Sequence, residues 1–595
     1  MLQLMSIALI GQDLDVSQSE ESSVEDTISF IVFEADTADH ISLDNIELDT
    51  LRGNVILSQD SLVMYCDLAI LMERIDARAY HNVVIIHQDS IQIFADSLIY
   101  DGRSKIAELF GEVILQEGER RLYTDYLIYD VNQKTATYST GGTLIEGVDT
   151  ILSKSGFYEQ REKQVTLFGN VWYRDTSRTL RTDSILYLYD REQLNLVEPT
   201  SISQDSIEIY CEGGIYRLKE DRGILSNNVQ VKSDDQFITS GILDIKGDEG
   251  IYTFMIDPFL NDDNGQASGD TIRYYKNDGY LDIIKNAVYR STTEVMRAPV
   301  IRYTESNDTY ETRGRAIVDT DESYIESDSI KSVDDGSTLL KGNIILVDKK
   351  SDLTIRSDNA IKGENHLKVY NSKFGQPLLS YPMSTDTLRL VSDTLYNVEA
   401  SEVDSIGAYL EATGNVSWMS GKTSSVSSSF IFDRQDSIIT LYGSPVLWSD
   451  DTQLSADTIH LYIKNNDVHK IILLNNAFIV SPDQNENFNQ IKGSLIENLM
   501  ENQEIRSSDV QQNAELHYLI LQDDEYKGIS VSRSQSILLT FMDNEITKVN
   551  MEGQPESNMY EYVEGMDLTL YYLDGFLWRI AEKPEGSLFI FYATK

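Results

Sequence analysis

The sequence predicts an all-β chain: an extended β-jellyroll array of stacked, bent antiparallel strands, V-shaped and taco-like in section, with a roughly 29-residue repeat. Three observations predict it. An aspartate recurs every 29 residues. Apolar residues alternate with period two on both sides of it, as on a strand. The inward phase of that alternation switches at the aspartate itself.

Taking Asp96 as anchor, steps of 29 give Asp67, Asp96, Asp125, Lys154, Asp183, Glu212, Gly241, Asp270, Pro299 and Asp328 without slippage. The series continues with insertions through Asp358, Asp393, Ser428 and Asp457. Three residues before the anchor stands a large apolar column that includes Met64, Ile93, Leu122, Ile151, Leu180 and Ile209, broken only by Ala267 and Ser425. Immediately before the anchor every residue is small, as at Cys66, Ala95, Thr124, Ser153 and Ser327. Two after it come Leu98, Leu127, Ile185 and Ile272, and four after it Tyr100, Tyr129, Tyr158, Tyr187, Tyr216, Tyr274 and Tyr303.

The inward positions are thus −3 and −1 before the anchor but +2 and +4 after it. One face stays inward only if the strand bulges or bends sharply at the anchor. Aspartate suits that place because its short acceptor side chain can satisfy backbone donors that a bend frees. A turn follows, then a return strand with glycine or asparagine near its middle, as at Gly111, Gly169, Gly314 and Gly443, which marks a second bend. Bent strands stack into a trough with two apolar walls and an acidic exterior. Two interiors are compatible with these columns: an open conduit, for which the small column leaves volume, or a core filled by its own side chains.

The chain has 595 residues, too many for one compact core. Its 49 basic and 97 acidic residues give a net charge of −48, which excludes nucleic acid as a partner, since that binding rests on phosphate neutralisation. Two cysteines, Cys66 and Cys211, and seven scattered histidines form no metal-site spacing, so no metal and no cofactor is expected. The anchor aspartates are spread one per module and do not converge as a catalytic site must, so enzymatic activity is not expected. Residues 1–11 ("MLQLMSIALIG") read as the remnant of a secretory signal, with a buried N-terminal strand as the alternative, and 12–45 as an acidic linker. The array spans 46–480. Turn units at Asn465, Asn502, Asp543 and Asp574 carry it on as divergent β repeats over 481–595.

"FADSLIYDGRSKIAELFGEVIL", "ATGNVSW" (Ala412 to Trp418) and "LRGNVILSQDSLVMYCD" resemble the OstA-like family of lipopolysaccharide transport, in the long form found in Bacteroidota. The resemblance covers about residues 45 to 480 with good module density. It implies a periplasmic, exported protein, with outer-membrane association as a further expectation. It also implies a hydrophobic groove that carries lipid A acyl chains without catalysis. The implied partners are lipopolysaccharide or a related glycolipid and other OstA-like components at the inner and outer membranes. Unpaired edge strands add end-to-end self-association. The inward columns named above are the lipid-lining candidates. A structural or adhesive surface β-solenoid with a filled core is the competing reading.

Overall fold

The computed structural model describes residues 29–590 apart from 44–45, 89, 234, 372–374, 384–385, 400–406, 484, 486, 523–524 and 543–544. The signal reading of 1–11, and the linker reading up to residue 28, fall outside the described residues. From Val32 to Glu561 the described chain is β-strand joined by turns, with only short 3-10 segments among the described helices. Every described strand pairing is antiparallel, for instance Leu62–Met72 with Asp76–His87 and Ile91–Asp101 with Ile106–Glu117.

Each long strand crosses two walls. The segment before the anchor lies in a first wall and the segment after it in a second. The register shows how the bend is made. Arg52 faces Leu68 and Val55 faces Cys66, so Gly53 and Asn54 together oppose the single residue Asp67. Both adopt positive φ, 76° and 44°. The same slip sets Gly111 and Glu112 against Asp125, Gly169 and Asn170 against Asp183, and Gly342 and Asn343 against Asp358. The two-residue side of the bulge is therefore on the return strand, most often carrying Gly or Asn, and not at the aspartate. Glycine and asparagine are the residues that enter left-handed φ at least cost.

The anchors lock this geometry. Asp67 accepts from Asn82 Nδ2 at 2.7 Å, Asp270 from Asn286 at 3.0 Å, Asp328 from Asn343 at 2.6 Å, Asp393 from Asn415 at 2.8 Å and Asp457 from Asn476 at 3.1 Å. The small column has its own part. Thr124 Oγ1 donates to the Gly141 carbonyl at 2.7 Å, and Ser327 Oγ to the carbonyls of Lys341 and Ser329 at 2.9 Å. Ser240 and Ser392 likewise donate two residues onward, at 3.0 and 2.9 Å. These hydroxyls satisfy carbonyls at the bend, which accounts for small polar side chains there without invoking empty volume.

Gly111 shows how tight the bend is. Its φ is 75°, and a β-carbon there would stand 2.3 Å from Asp96 Oδ2 and 3.0 Å from Asp96 Cβ. Gly111→Ala should lose about 1–2 kcal/mol, from left-handed strain plus the clash. Urea titration measures this, and the same change on an Asp96→Ala background should recover the part due to contact.

The chain forms two compact units. The first runs to Asp205 and includes Glu212–Leu218; the second comprises Ser206–Cys211 and the chain from Lys219 onward. In the first, strands already begin at Val32–Glu34 and Thr37–Leu43, inside the segment read as a linker. Thr37–Leu43 pairs residue for residue with Ile46–Arg52. In the second, Asp467–Pro482 runs straight through the expected boundary at 480, and kinked strands continue to Glu561.

Beyond Glu561 the expected repeats do not continue. The segment 562–590 has no described strand, and Asp574 is not a hairpin turn. It runs as a strap on the outer face of the first wall of the second unit. Leu568 packs on Leu519 and Ile529, Leu573 on Phe478 and Val480, and Phe589 on Leu378 and Val391. Gln453 clamps it, donating to the Leu577 carbonyl at 2.8 Å and accepting from Arg579 N–H at 2.7 Å.

Candidate functional site

The space between the two walls is the candidate site, and the two units treat it differently. In the first unit Met64, Ile93, Leu122 and Ile151 line the first wall, and Leu98, Leu127 and Ile185 face them from the second, all buried. Ala95 and Leu180 are buried with them, as is Ile209 in the second unit. Tyr100, Tyr129, Tyr158, Tyr187 and Tyr216 are buried at the far tip of the second wall.

Four of these tyrosines cross the mouth of the trough. Tyr100 Oη donates to Gln59 Oε1 at 2.5 Å, Tyr129 Oη lies 2.6 Å from His87 Nδ1, Tyr158 donates to Glu117, and Tyr187 Oη donates to Glu146 Oε2 at 2.8 Å. The partners stand 41 or 42 residues earlier, at the tips of the first wall. Arg120 ties two rungs together. It donates to Glu117 at 3.3 Å and to Glu146 at 2.6 Å, and its guanidinium stacks 3.6 Å from the Tyr189 ring centroid. Arg178, paired with Asp175 at 2.9 Å, lies 4.9 Å from the Tyr216 ring. Burial is the main reason the four tyrosine hydroxyls titrate well above their ordinary range, which keeps them protonated donors. Burial, helped by the Lys134 charge, holds His87 below its ordinary value and so neutral.

In the second unit the same column behaves otherwise. Ile272 is buried, but Tyr274 and Tyr303 are only half-buried and bond within their own wall, to Glu305 at 3.4 Å and Asp308 at 2.8 Å. Between the walls here lies a cavity of about 290 Å³. Leu260, Ala267 and Met296 line it from one side, and Leu281, Ile283 and Ile301 from the other. Tyr289, Glu294, Tyr303 and Tyr310 stand at its rim. Burial pushes the Tyr310 hydroxyl up to about 12 and raises the Glu294 carboxyl. A further space of about 440 Å³ opens between residues 322–355 and 362–434.

The sequence carried a signal for the first cavity. Ala267 is one of the two departures from the large apolar column, and it lies where the cavity opens, its strand flanked by Leu260 and Tyr289. The other departure, Ser425, stands opposite the buried Trp418, whereas the aromatic partner of Ala267, Tyr289, turns its hydroxyl to the Asn264 carbonyl at the cavity rim.

These features define a class: a repeated two-walled antiparallel trough whose interior offers apolar surface. Residues 28–183 match the family model described as OstA-like protein, and residues 150–309 match that of the LptA/(LptD N-terminal domain) LPS transport protein. Over residues 28–309 the chain is similar to OstA-like proteins. A comparison with curated proteins finds no match. Among solved structures, the chain is similar to LptH, the LptA homologous periplasmic component of the lipopolysaccharide transport device from Pseudomonas aeruginosa. The identity is 13%, over 24% of this chain and 95% of that one, with a TM-score of 0.19.

Proposed function

We propose that this protein binds lipopolysaccharide or a related glycolipid without catalysis, in the periplasm, as a carrier in outer-membrane assembly. Acyl chains lie between the walls and the sugars stay in water. The observation that supports this reading most is the 290 Å³ apolar cavity, which lies within the stretch matching the transport family. Apolar burial alone can hold an acyl chain, at roughly 0.8 kcal/mol per methylene. Other OstA-like components are the expected neighbours at either end, through edge strands. No described helix is long and apolar enough to cross a membrane.

A photo-crosslinker replacing Met296 should capture lipopolysaccharide, while one at the outward-facing Arg297 should not. Absence of adducts at Leu281, Met296 and Ile301 alike would sink the proposal. Ala267→Phe should fill the cavity and weaken capture by about tenfold or more, with the thermal midpoint held or raised. The filled-core reading has support in the first unit, where the columns are buried against one another and the mouth is bridged.

A further inference from the structure

We propose that the tyrosine column of the first unit is a latch, and that its two walls are a clamshell that opens to admit an acyl chain and closes when empty. The inference rests on the lipid-binding reading and adds the means by which a closed interior becomes available. Three observations carry it.

The first is the latch itself. The bonds from Tyr100, Tyr129, Tyr158 and Tyr187 join opposite wall tips once per module. A second layer of contacts lies outside them: Lys105 with Asp60, Lys134 with Gln88, and Gln160 with Glu117 at 3.0 Å and with Ser90 at 3.2 Å. These are polar contacts that water can replace when the mouth opens, and an entering acyl chain covers again the apolar columns that opening exposes.

The second is a hinge opposite the latch. Every long strand changes register at the bend, where paired residues take left-handed φ, as at Gly53 and Asn54 or His81 and Asn82. Between 135 and 159 the ladder is interrupted outright. Thr135–Tyr138 and Gly142–Glu146 are separate strands, as are Asp149–Ser153 and Ser155–Glu159. The walls are thus joined along a line where side-chain bonds such as Asn82 to Asp67 replace the regular ladder, and rotation about it leaves the ladders within each wall intact.

The third is that the second unit holds the same module unlatched. Tyr274 and Tyr303 occupy the latch column, yet they bond to Glu305 and Asp308 of their own wall, and a cavity stands between the walls. In this unit the tyrosine hydroxyl takes a partner on its own side, and the interior is accessible.

The test staples the mouth. Asp60→Cys with Lys105→Cys, joined by a short bis-maleimide, holds one module shut, and a photoactivatable leucine analogue at Leu98 reports its interior. Purified lipopolysaccharide is the probe. Adducts at Leu98 that vanish on stapling, while those at Met296 persist, are the expected result. Adducts at Met296 with none at Leu98 in either state would overturn the latch and leave the lipid-binding proposal standing. Adducts at Leu98 that survive stapling would overturn it as well, since the chain would then enter end-on. Adducts nowhere would reject both. A ligand-independent measurement uses the neutral dye N-phenyl-1-naphthylamine. Tyr158→Phe and Tyr187→Phe should each shift the open-to-closed ratio by about fivefold and raise dye uptake, with the outward Tyr65→Phe as control. Uptake equal to that of the control would refute the latch.

Discussion

Leu127→Asp is expected to unfold the first unit at neutral pH. Leu127 is fully buried, pairs with Leu109 across the sheet, and sits one alternation from the buried Tyr129. A carboxylate there has apolar neighbours on both strands. Full burial raises a carboxyl pKa by up to about 3–5 units, so at pH 7 the group folds only by staying protonated, which from an unfolded value near 3.9 costs roughly 4 kcal/mol at about 1.36 kcal/mol per unit. Loss of the leucine adds about 1.5–3 kcal/mol. A domain holds only about 5–15 kcal/mol in total. The sign with pH is fixed. The introduced carboxyl has its folded pKa above its unfolded value near 3.9, so the ionisation penalty is absent below about pH 4 and grows as pH rises towards the folded pKa. Urea unfolding of the variant and the wild type at pH 7 and pH 4 measures this. A deficit equal at both pH values would show that the introduced group reaches water, and that the wall is not sealed at this point.

The array was legible because its cause is local. Period-two columns, a phase switch and a glycine or asparagine opposite it are properties of one bent strand, and Met64, Ile93, Leu98 and Leu127 all turn inward as that pattern requires. What escaped sequence reading depends on contacts between walls or with remote segments. The role of Tyr100 or Tyr187 is set by Gln59 and Glu146, which lie at an offset of 41 rather than 29. Columns taken one wall at a time hide that offset, although acceptors recur there as Gln59, Glu117, Glu146 and Asp175.

The early strand Thr37–Leu43 was hidden for a different reason. It pairs through its backbone and is exposed, with polar side chains such as Asp39, which bonds Arg52, and His40, which bonds Asp49. Hydrophobic patterning is blind to such an edge strand. The strap was hidden because it alternates with no period. Its aromatic residues pack one by one, as when Phe576 and Trp578 meet Phe488 at centroid distances of 5.3 and 5.1 Å.

Trp418→Ala tests the complementary half of the column argument, in the second unit. Trp418 is 2% exposed and pairs with Leu390 on one side and Ser425 on the other. Its ring meets Phe430 edge-on, with centroids 6.4 Å apart. Its indole N–H has no hydrogen-bond partner among the described residues, so truncation removes packing and no hydrogen bond. The expected loss is about 3–5 kcal/mol, the usual range for a buried tryptophan whose site cannot collapse. Collapse is resisted here because ladder bonds on both flanks fix the strand. Ser425 decides how the loss can be repaired. It is fully buried, its hydroxyl has no partner among the described residues, and it stands where other modules place a large apolar side chain. Ser425→Leu alone should clash with the indole and cost about 1–3 kcal/mol, whereas Trp418→Leu with Ser425→Leu returns the module to the pattern of its neighbours. The double variant should therefore be more stable than the two single changes predict together, by about 1–3 kcal/mol in a thermodynamic cycle read from denaturant midpoints. Strict additivity would mean that Trp418 does not fill the space Ser425 leaves. The contrast with Ala267 would then fail too: its aromatic partner Tyr289 sends its hydroxyl to the Asn264 carbonyl at the cavity rim, whereas the contrast requires the Trp418 ring to lie over the small residue.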